Sequence, residues 1–282
     1  MIRAFFPISI IVLAISGHGH AAEPATSAQR IISLAPSTTE TLFALGLGDR
    51  IVGVTSFCDQ PVAARAKPKI GGMSNPSLEA IVTLKPDLVV MTMDGNPKEV
   101  EERLRSMGIR TYVWKARTLA ELPEGIRDLG RAVGATERSD RMARELRDSI
   151  ERFKKKHAER PGKAQARKKV LLMIWPEPLI VAGPGTIMDD AVQLLGHENI
   201  AAGSKTQYPK YSLEEVIRQA PDVIFVGKAS GMDMQAVSQG ILKRLSSVPA
   251  MRTGSIFYIS DSLYRLGPRV VSGIEELAAC VQ

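Results

Sequence analysis

The chain has 282 residues, of which 44% are apolar, 24% charged and 5% aromatic, and its formal net charge is +7. That length accommodates two compact domains but hardly three, and the composition is that of an ordinary soluble globular protein. The positive residues concentrate on one mid-chain segment and on Arg160 to Lys169, interleaved with acids on the former and without an aromatic stripe, which argues against a nucleic-acid surface.

At the N-terminus Arg3 precedes an apolar run from Ala4 to Ile15, and Gly19-His20-Ala21 supplies small residues where a signal peptidase reads them. Residues 1–21 are therefore expected to be a cleaved export signal, too short for a permanent anchor. No cysteine follows the cut, so no lipid anchor is indicated, and the mature protein is expected to be free in a bacterial periplasm.

Residues 22–134 alternate strand and helix. Arg30 to Leu34 reads as a strand, and Ser37-Thr38-Thr39-Glu40 as a capping box opening a helix that ends near Gly46. Ile51 to Val54 is the next strand, and Asn75-Pro76 starts a helix with an Asn cap. Lys85-Pro86-Asp87 leads into a buried-type strand, Leu88 to Met91. Asn96-Pro97 caps a further helix to Gly108, Ile109 to Val113 is a strand, and Thr118 to Gly134 is a helix opened by Thr118 and Glu121.

Residues 135–162 form a connecting segment, a helix running from Ala135 to Arg160 without a breaker. Met142, Leu146, Ile150 and Phe153 recur at helical spacing on an otherwise charged background. At 1.5 Å per residue, roughly 25 residues reach about 37 Å, enough to brace two bodies.

Residues 163–282 repeat the grammar. Strand Lys169 to Ile174, helix Gly185 to Leu195, a capping box at Ser212-Leu213-Glu214-Glu215 and strand Val223 to Val226 follow in turn. A helix Met234 to Leu245, a strand Ser255 to Ile259 and a helix opened by Pro268 complete the chain. Leu84-Lys85-Pro86-Asp87-Leu88 and Gln219-Ala220-Pro221-Asp222-Val223 each join a capped helix to a buried strand, so the halves read as structural repeats. The expected fold is α/β, with two doubly wound, Rossmann-like lobes joined by one long helix.

In parallel sheets ligands bind at the carboxyl ends of strands. The loops leaving those ends carry Phe57, Met73, Met91, Met93, Trp114, Trp175, Tyr208 and Tyr264 among small residues and prolines. A cleft between the lobes lined in this way suits a large amphipathic ligand. Histidine metal sites are excluded by position: His18 and His20 leave with the signal, and His157 and His197 lie outside any cluster. Cys58 and Cys280 fall in opposite halves and are expected as free thiols. Asp59 or Asp94 with Cys58 could in principle serve an exported enzyme, but no neighbouring base or cation is supplied to activate the thiol.

Ile31-Ile32-Ser33-Leu34-Ala35-Pro36-Ser37-Thr38-Thr39-Glu40, the turn Phe57-Cys58-Asp59-Gln60-Pro61 and Gly72-Met73-Ser74-Asn75-Pro76-Ser77-Leu78-Glu79 resemble the periplasmic binding proteins that serve ABC importers of vitamin B12, ferric siderophores and haem. Lys85-Pro86-Asp87-Leu88-Val89-Val90 and Arg265-Leu266-Gly267-Pro268-Arg269 fit the same family, so the resemblance covers the mature chain. It implies two lobes that open and close little, with the ligand cleft between them. The likeness is greatest to cobalamin-binding members. Phe57 and Tyr208 stand where those carry an aromatic from each lobe, and Asp261 and Arg265 match their Asp and Arg in the last strand-to-helix loop. Met73 and Thr92 stand where some members place Trp. With Trp175 these make the expected ligand set.

The resemblance further implies that Glu79 and Glu214 dock onto arginines of a permease dimer, which works with ATPase subunits. The expected function is capture of a corrinoid and its delivery to an ABC importer, by a monomer with no catalytic residue and no resident cofactor. The alternative ligand is a ferric siderophore or haem. Haem would need Tyr208, Tyr264 or a Met as axial donor, and a siderophore would need Arg265, Lys228, Lys115 and Arg117.

Overall fold

Each strand expected between Arg30 and Val113 becomes a parallel strand. The computed structural model describes residues 27–158, 167–228 and 232–281, so the export signal read over 1–21 and the Arg160 end of the connecting segment lie outside the described residues. In the first lobe β1 (Ile31–Ser33), α1 (Pro36–Ala44), β2 (Ile51–Val54), α2 (Leu78–Thr83), β3 (Leu88–Thr92), α3 (Lys98–Ser106), β4 (Thr111–Trp114) and α4 (Leu122–Val133) succeed one another, and the sheet order is β2-β1-β3-β4. The long helix α5 (Thr136–Ala158) follows.

The second lobe comprises β5 (Lys169–Pro176), β6 (Leu179–Val181), α6 (Ile187–Leu194), β7 (Glu198–Asn199), α7 (Leu213–Gln219), β8 (Val223–Gly227), α8 (Met234–Arg244), α9 (Pro249–Thr253), β9 (Ile256–Ile259) and α10 (Val270–Val281). Its sheet runs β6-β5-β8-β9, with β7 against the start of β5. Strand β6 is antiparallel to β5. It is absent from the sequence reading because so short a strand shows no periodicity.

The repeat is reproduced in backbone detail. Lys85 and Ala220, with φ of 48° and 50°, are the described non-glycine residues in the left-handed region, and each ends its helix ahead of a Pro-Asp step. The aspartates then tether the start of the neighbouring strand: Asp87 accepts the Gln29 and Arg30 N–H groups at 2.7 and 3.1 Å, and Asp222 accepts that of Lys169 at 2.8 Å.

Three of the expected helix caps are corrected. Helix α1 is entered from Ala35 with Pro36 at its first turn and no side-chain cap, α2 is capped by Ser77 rather than Asn75, and α3 begins from Pro97 rather than Asn96. Ser212 caps α7 as expected, accepting the Glu215 N–H. Glu40 and Asn96, released from capping, are used in the cleft.

Alternation along each central strand feeds two apolar layers. Val89 and Met91 pack into an outer layer of the first lobe, and Ile224 and Val226 into one of the second. Val90 and Phe225 instead join a single core that runs through both lobes, together with Leu42, Ile126, Ala143, Leu146, Ile150 and Ile274. Helix α5 thus buries Leu146 and Ile150 of its expected stripe in a core that both lobes share, with Met142 and Phe153 packed against it and Ser139 also buried. Where α4 crosses α5, a Cβ at Gly130 would stand 1.9 Å from Ser139 Oγ, so the crossing closes only on glycine. Cys58 and Cys280 are free thiols, as expected.

Candidate ligand cleft

The carboxyl ends of the strands in the two lobes enclose a cavity of about 550 Å³. Its first-lobe wall is Pro36 and Ser37 after β1, Met73, residues 92–95 after β3, and Trp114 with Arg117 after β4. The second-lobe wall is Ile174, Ile180, residues 185–187, Gln207, Tyr208 and Tyr264 to Leu266. A larger cavity of about 790 Å³ lies beside α5, between the starts of α4 and the end of α6. It touches no strand end, so the smaller one is the candidate site.

Asn96 organises the first-lobe wall. Its carbonyl oxygen accepts the Thr92 N–H at 2.7 Å, and its amide donates to the Leu34 and Met73 carbonyls at 3.1 and 2.8 Å. One buried side chain therefore joins the loops that follow β1, β2 and β3. On the opposite wall the Gly183 N–H donates to the Gln207 carbonyl at 2.7 Å, and the Gln207 amide donates to that of Gly185 at 2.7 Å. These bonds fix the loop that presents Tyr208.

At the floor an ion-pair network crosses between the lobes. Arg265 Nη1 lies 3.1 Å from Glu40 and 2.6 Å from Asp59, both first-lobe residues, while its Nη2 lies 2.8 Å from Asp261. Arg269 donates to Glu40 at 2.7 Å and to Asp261 at 3.0 Å. Burial disfavours the Arg265 charge, but Asp59, Asp261 and Glu40 more than offset it and hold the guanidinium above its ordinary pKa. Arg269 is raised as well, chiefly by Glu40. Arg117 on the cleft wall is paired with Asp94 through both Nε and Nη2. Tyr208 and Tyr264 are pushed up by burial first and by Asp94 and Asp261 respectively, so both phenols are neutral near pH 7.

Of the expected ligand set, Met73, Thr92, Tyr208 and Arg265 line the cleft. Phe57 is 52% exposed, with its ring beside Gly72. Asp261 lies behind Arg265 in the network. Trp175 is directed away: its neighbour Ile174 faces the cleft, so alternation along β5 turns the indole to the outer layer, where it donates to the Glu177 carbonyl at 2.9 Å. The tryptophan on the wall is Trp114. Lys115 and Lys228 are not among the lining residues. Glu79 and Glu214 are exposed at the second positions of α2 and α7.

Glu40, Asn96 and Arg269 are site-organising residues that the motif reading assigned to other ends or left without a role. The sequence carries no signal that separates this role of Glu40 from capping; the structure shows it by burying six residues of α1, Glu40 included. The groups considered for catalysis are otherwise engaged. Asp59 and Asp94 bind arginines, and the Cys58 sulfur is buried 3.1 Å from the Thr39 and Thr55 hydroxyls.

Comparison with known proteins agrees with this architecture. The family model described as periplasmic binding protein matches residues 31–263. A vitamin B12-binding protein of Pectobacterium atrosepticum is 30% identical over 253 residues, 89% of this chain and 88% of that one. Among solved structures, the periplasmic vitamin B12 binding protein of Vibrio cholerae superposes with a TM-score of 0.77 at 27% identity, covering 90% of this chain and 96% of that one. A periplasmic haem-binding protein from a Roseiflexus species, in apo form, gives a TM-score of 0.80 at 28% identity, covering 90% and 98%.

Proposed function

The chain belongs to the periplasmic binding protein family, and on that premise we propose that it captures a corrinoid of the vitamin B12 type in the periplasm and hands it to an ABC importer. It acts by binding and release, with no catalytic step. The observation that carries the choice of ligand is the state of the cleft arginines. Arg117 and Arg265 both line the cavity, and both are already ion-paired with carboxylates. An anionic chelate would have to compete with Asp94, Asp59, Glu40 and Asp261 for them, whereas an amide-fringed corrin macrocycle would not.

Met73 and Tyr208 offer apolar and aromatic contact to the faces of such a ring, with Thr92 beside them and the buried Trp114 backing the wall. Phe57, exposed beside Gly72, supplies a further aromatic surface. Arg265, fixed through Asp261 and the first-lobe carboxylates, gives the polar rim one immobile partner. The vitamin B12-binding relative, alike over 89% of this chain, supports the same choice. No resident cofactor is required, since the cobalt would arrive within the cargo.

Titration of the mature protein with cyanocobalamin, read by tryptophan quenching and calorimetry, tests this. Saturable one-to-one binding is expected, weakened in Tyr208→Ala, and no binding at tens of micromolar would overturn the corrinoid reading. The haem alternative rests on the haem-binding structural relative, with the Tyr208 and Tyr264 phenols at the cleft as the oxygen donors that would reach the iron. A Soret band on haem addition, lost in Tyr208→Phe, would replace corrinoid with haem.

The partner is a two-fold permease dimer with ATPase subunits, met by a monomer of this protein after removal of the signal at 1–21. Glu79 and Glu214, one per lobe, each meet a permease arginine. Glu79→Arg with Glu214→Arg is expected to abolish transport and leave cyanocobalamin affinity in solution unchanged.

A further inference from the structure

Helices α2 and α7 are short, and they occupy equivalent places in the two lobes. Each is capped by a serine, Ser77 or Ser212, that accepts from the backbone three residues on. Each then has Leu first, Glu second and a buried β-branched residue fourth, Ile81 or Val216. Over 77–84 and 212–219 the sequence of exposed, half-buried and buried positions is the same at every step. Both helices end in a left-handed residue, Lys85 or Ala220, before the central strand.

The matched register includes one feature that packing inside the lobe does not account for. The fifth helical position is a large aliphatic residue turned to solvent in both: Val82 is 45% exposed and Ile217 is 43% exposed. A single exposed aliphatic residue needs no explanation. Two of them, at the same position of a repeated helix and with the same exposure, are a different matter. Each lies three residues after an exposed glutamate, Glu79 or Glu214, and so on the same side of its helix, with Cβ atoms about 5–6 Å apart. The neighbouring positions do not match: Ala80 and Thr83 in one helix stand against Glu215 and Arg218 in the other.

We propose that Val82 and Ile217 are the apolar halves of two equivalent docking patches, Glu79 with Val82 and Glu214 with Ile217, and that the occupant is a two-fold symmetric membrane protein. Each half of that partner would present a basic residue and, one helical turn away, an apolar recess. This rests on the docking role proposed above for the glutamates and adds the contact that supplies affinity. An exposed ion pair contributes little by itself, while an aliphatic side chain withdrawn from water beside it contributes more and shields the pair. The Glu214 carboxyl is held below its ordinary pKa by its own backbone N–H and by Ser212, so its charge is available throughout the neutral range. Duplication of one patch on two repeated lobes fits a partner made of two identical halves, because each half then sees the same surface.

The test uses the mature protein and its own importer, permease with ATPase subunits, in lipid nanodiscs. Val82→Ser and Ile217→Ser are each expected to weaken docking about fivefold, and the pair about 25-fold, since the sites are independent. Cyanocobalamin affinity in solution should not change. A photo-crosslinking residue placed at 82, and separately at 217, should join the same permease peptide. If the serine pair docks like the wild type while Glu79→Arg with Glu214→Arg abolishes docking, this inference fails and the glutamate reading stands. If the glutamate reversals are harmless, that reading fails. Crosslinks from 82 and 217 to different peptides, or to a second copy of this chain, would overturn the two-fold partner.

Discussion

Arg265 joins parts of the chain that no local reading connects: its partner Glu40 lies 225 residues away. The side chains of Arg265 and Glu40 are 10% and 5% exposed, so the pair is shielded from water and the carboxylates depend on the arginine for compensation. Arg265→Ala leaves Glu40, Asp59 and Asp261 with Arg269 as the remaining cation of the network. We expect a loss of roughly 3–5 kcal/mol, which in a chain of this size lowers Tm by about 6–20 °C, read by circular dichroism. Arg265→Lys should recover only part, because one ammonium cannot reproduce the forked contacts to carboxylates on both lobes. Glu40 was legible as a helix-start glutamate and nothing more. Whether such a side chain caps its own helix or reaches elsewhere depends on which charges the fold brings to it.

Among elements, α5 was the most legible, because its aliphatic residues recur at helical spacing against charges. Leu146 and Ile150 are buried, while Met142 and Phe153 pack against the same core. Less visible was the crossing with α4, which depends on Gly130 meeting Ser139. Gly130→Ala would put a Cβ 1.9 Å from Ser139 Oγ and 2.2 Å from its Cβ, so the helices must separate. A cost of about 1–3 kcal/mol is expected, seen as a fall in Tm. Because the Ser139 Cβ clashes as well as the hydroxyl, Ser139→Ala should not relieve it, whereas Ser139→Gly should restore part of the loss.

At the level of the whole molecule, one apolar core and one ion-pair network pass between the lobes, and one stripe of α5 is buried along their junction. A hinge motion would have to expose that core and separate Arg265 from Glu40 and Asp59. Ligand binding should therefore change the radius of gyration in solution by about 1 Å or less, measured by small-angle scattering with and without cyanocobalamin. A contraction of several ångströms would show that the shared core yields on binding.

Composition and periodicity determined the α/β class, the two repeated lobes and the bracing helix, because burial imposes period 2 on strands and 3.6 on helices whatever surrounds them. The same patterns marked the strand-end loops, and of the residues expected there Met73, Thr92, Tyr208 and Arg265 line the cleft. Only the tertiary structure decided which tryptophan faces the cavity, since Trp114 and Trp175 both stand near strand ends and strand direction with sheet packing selects between them. It also decided the partners of Glu40 and Asn96. A polar side chain at a helix start satisfies its bonding capacity either locally or across the fold, and the free energies of the two are close enough that the arriving neighbours settle the choice.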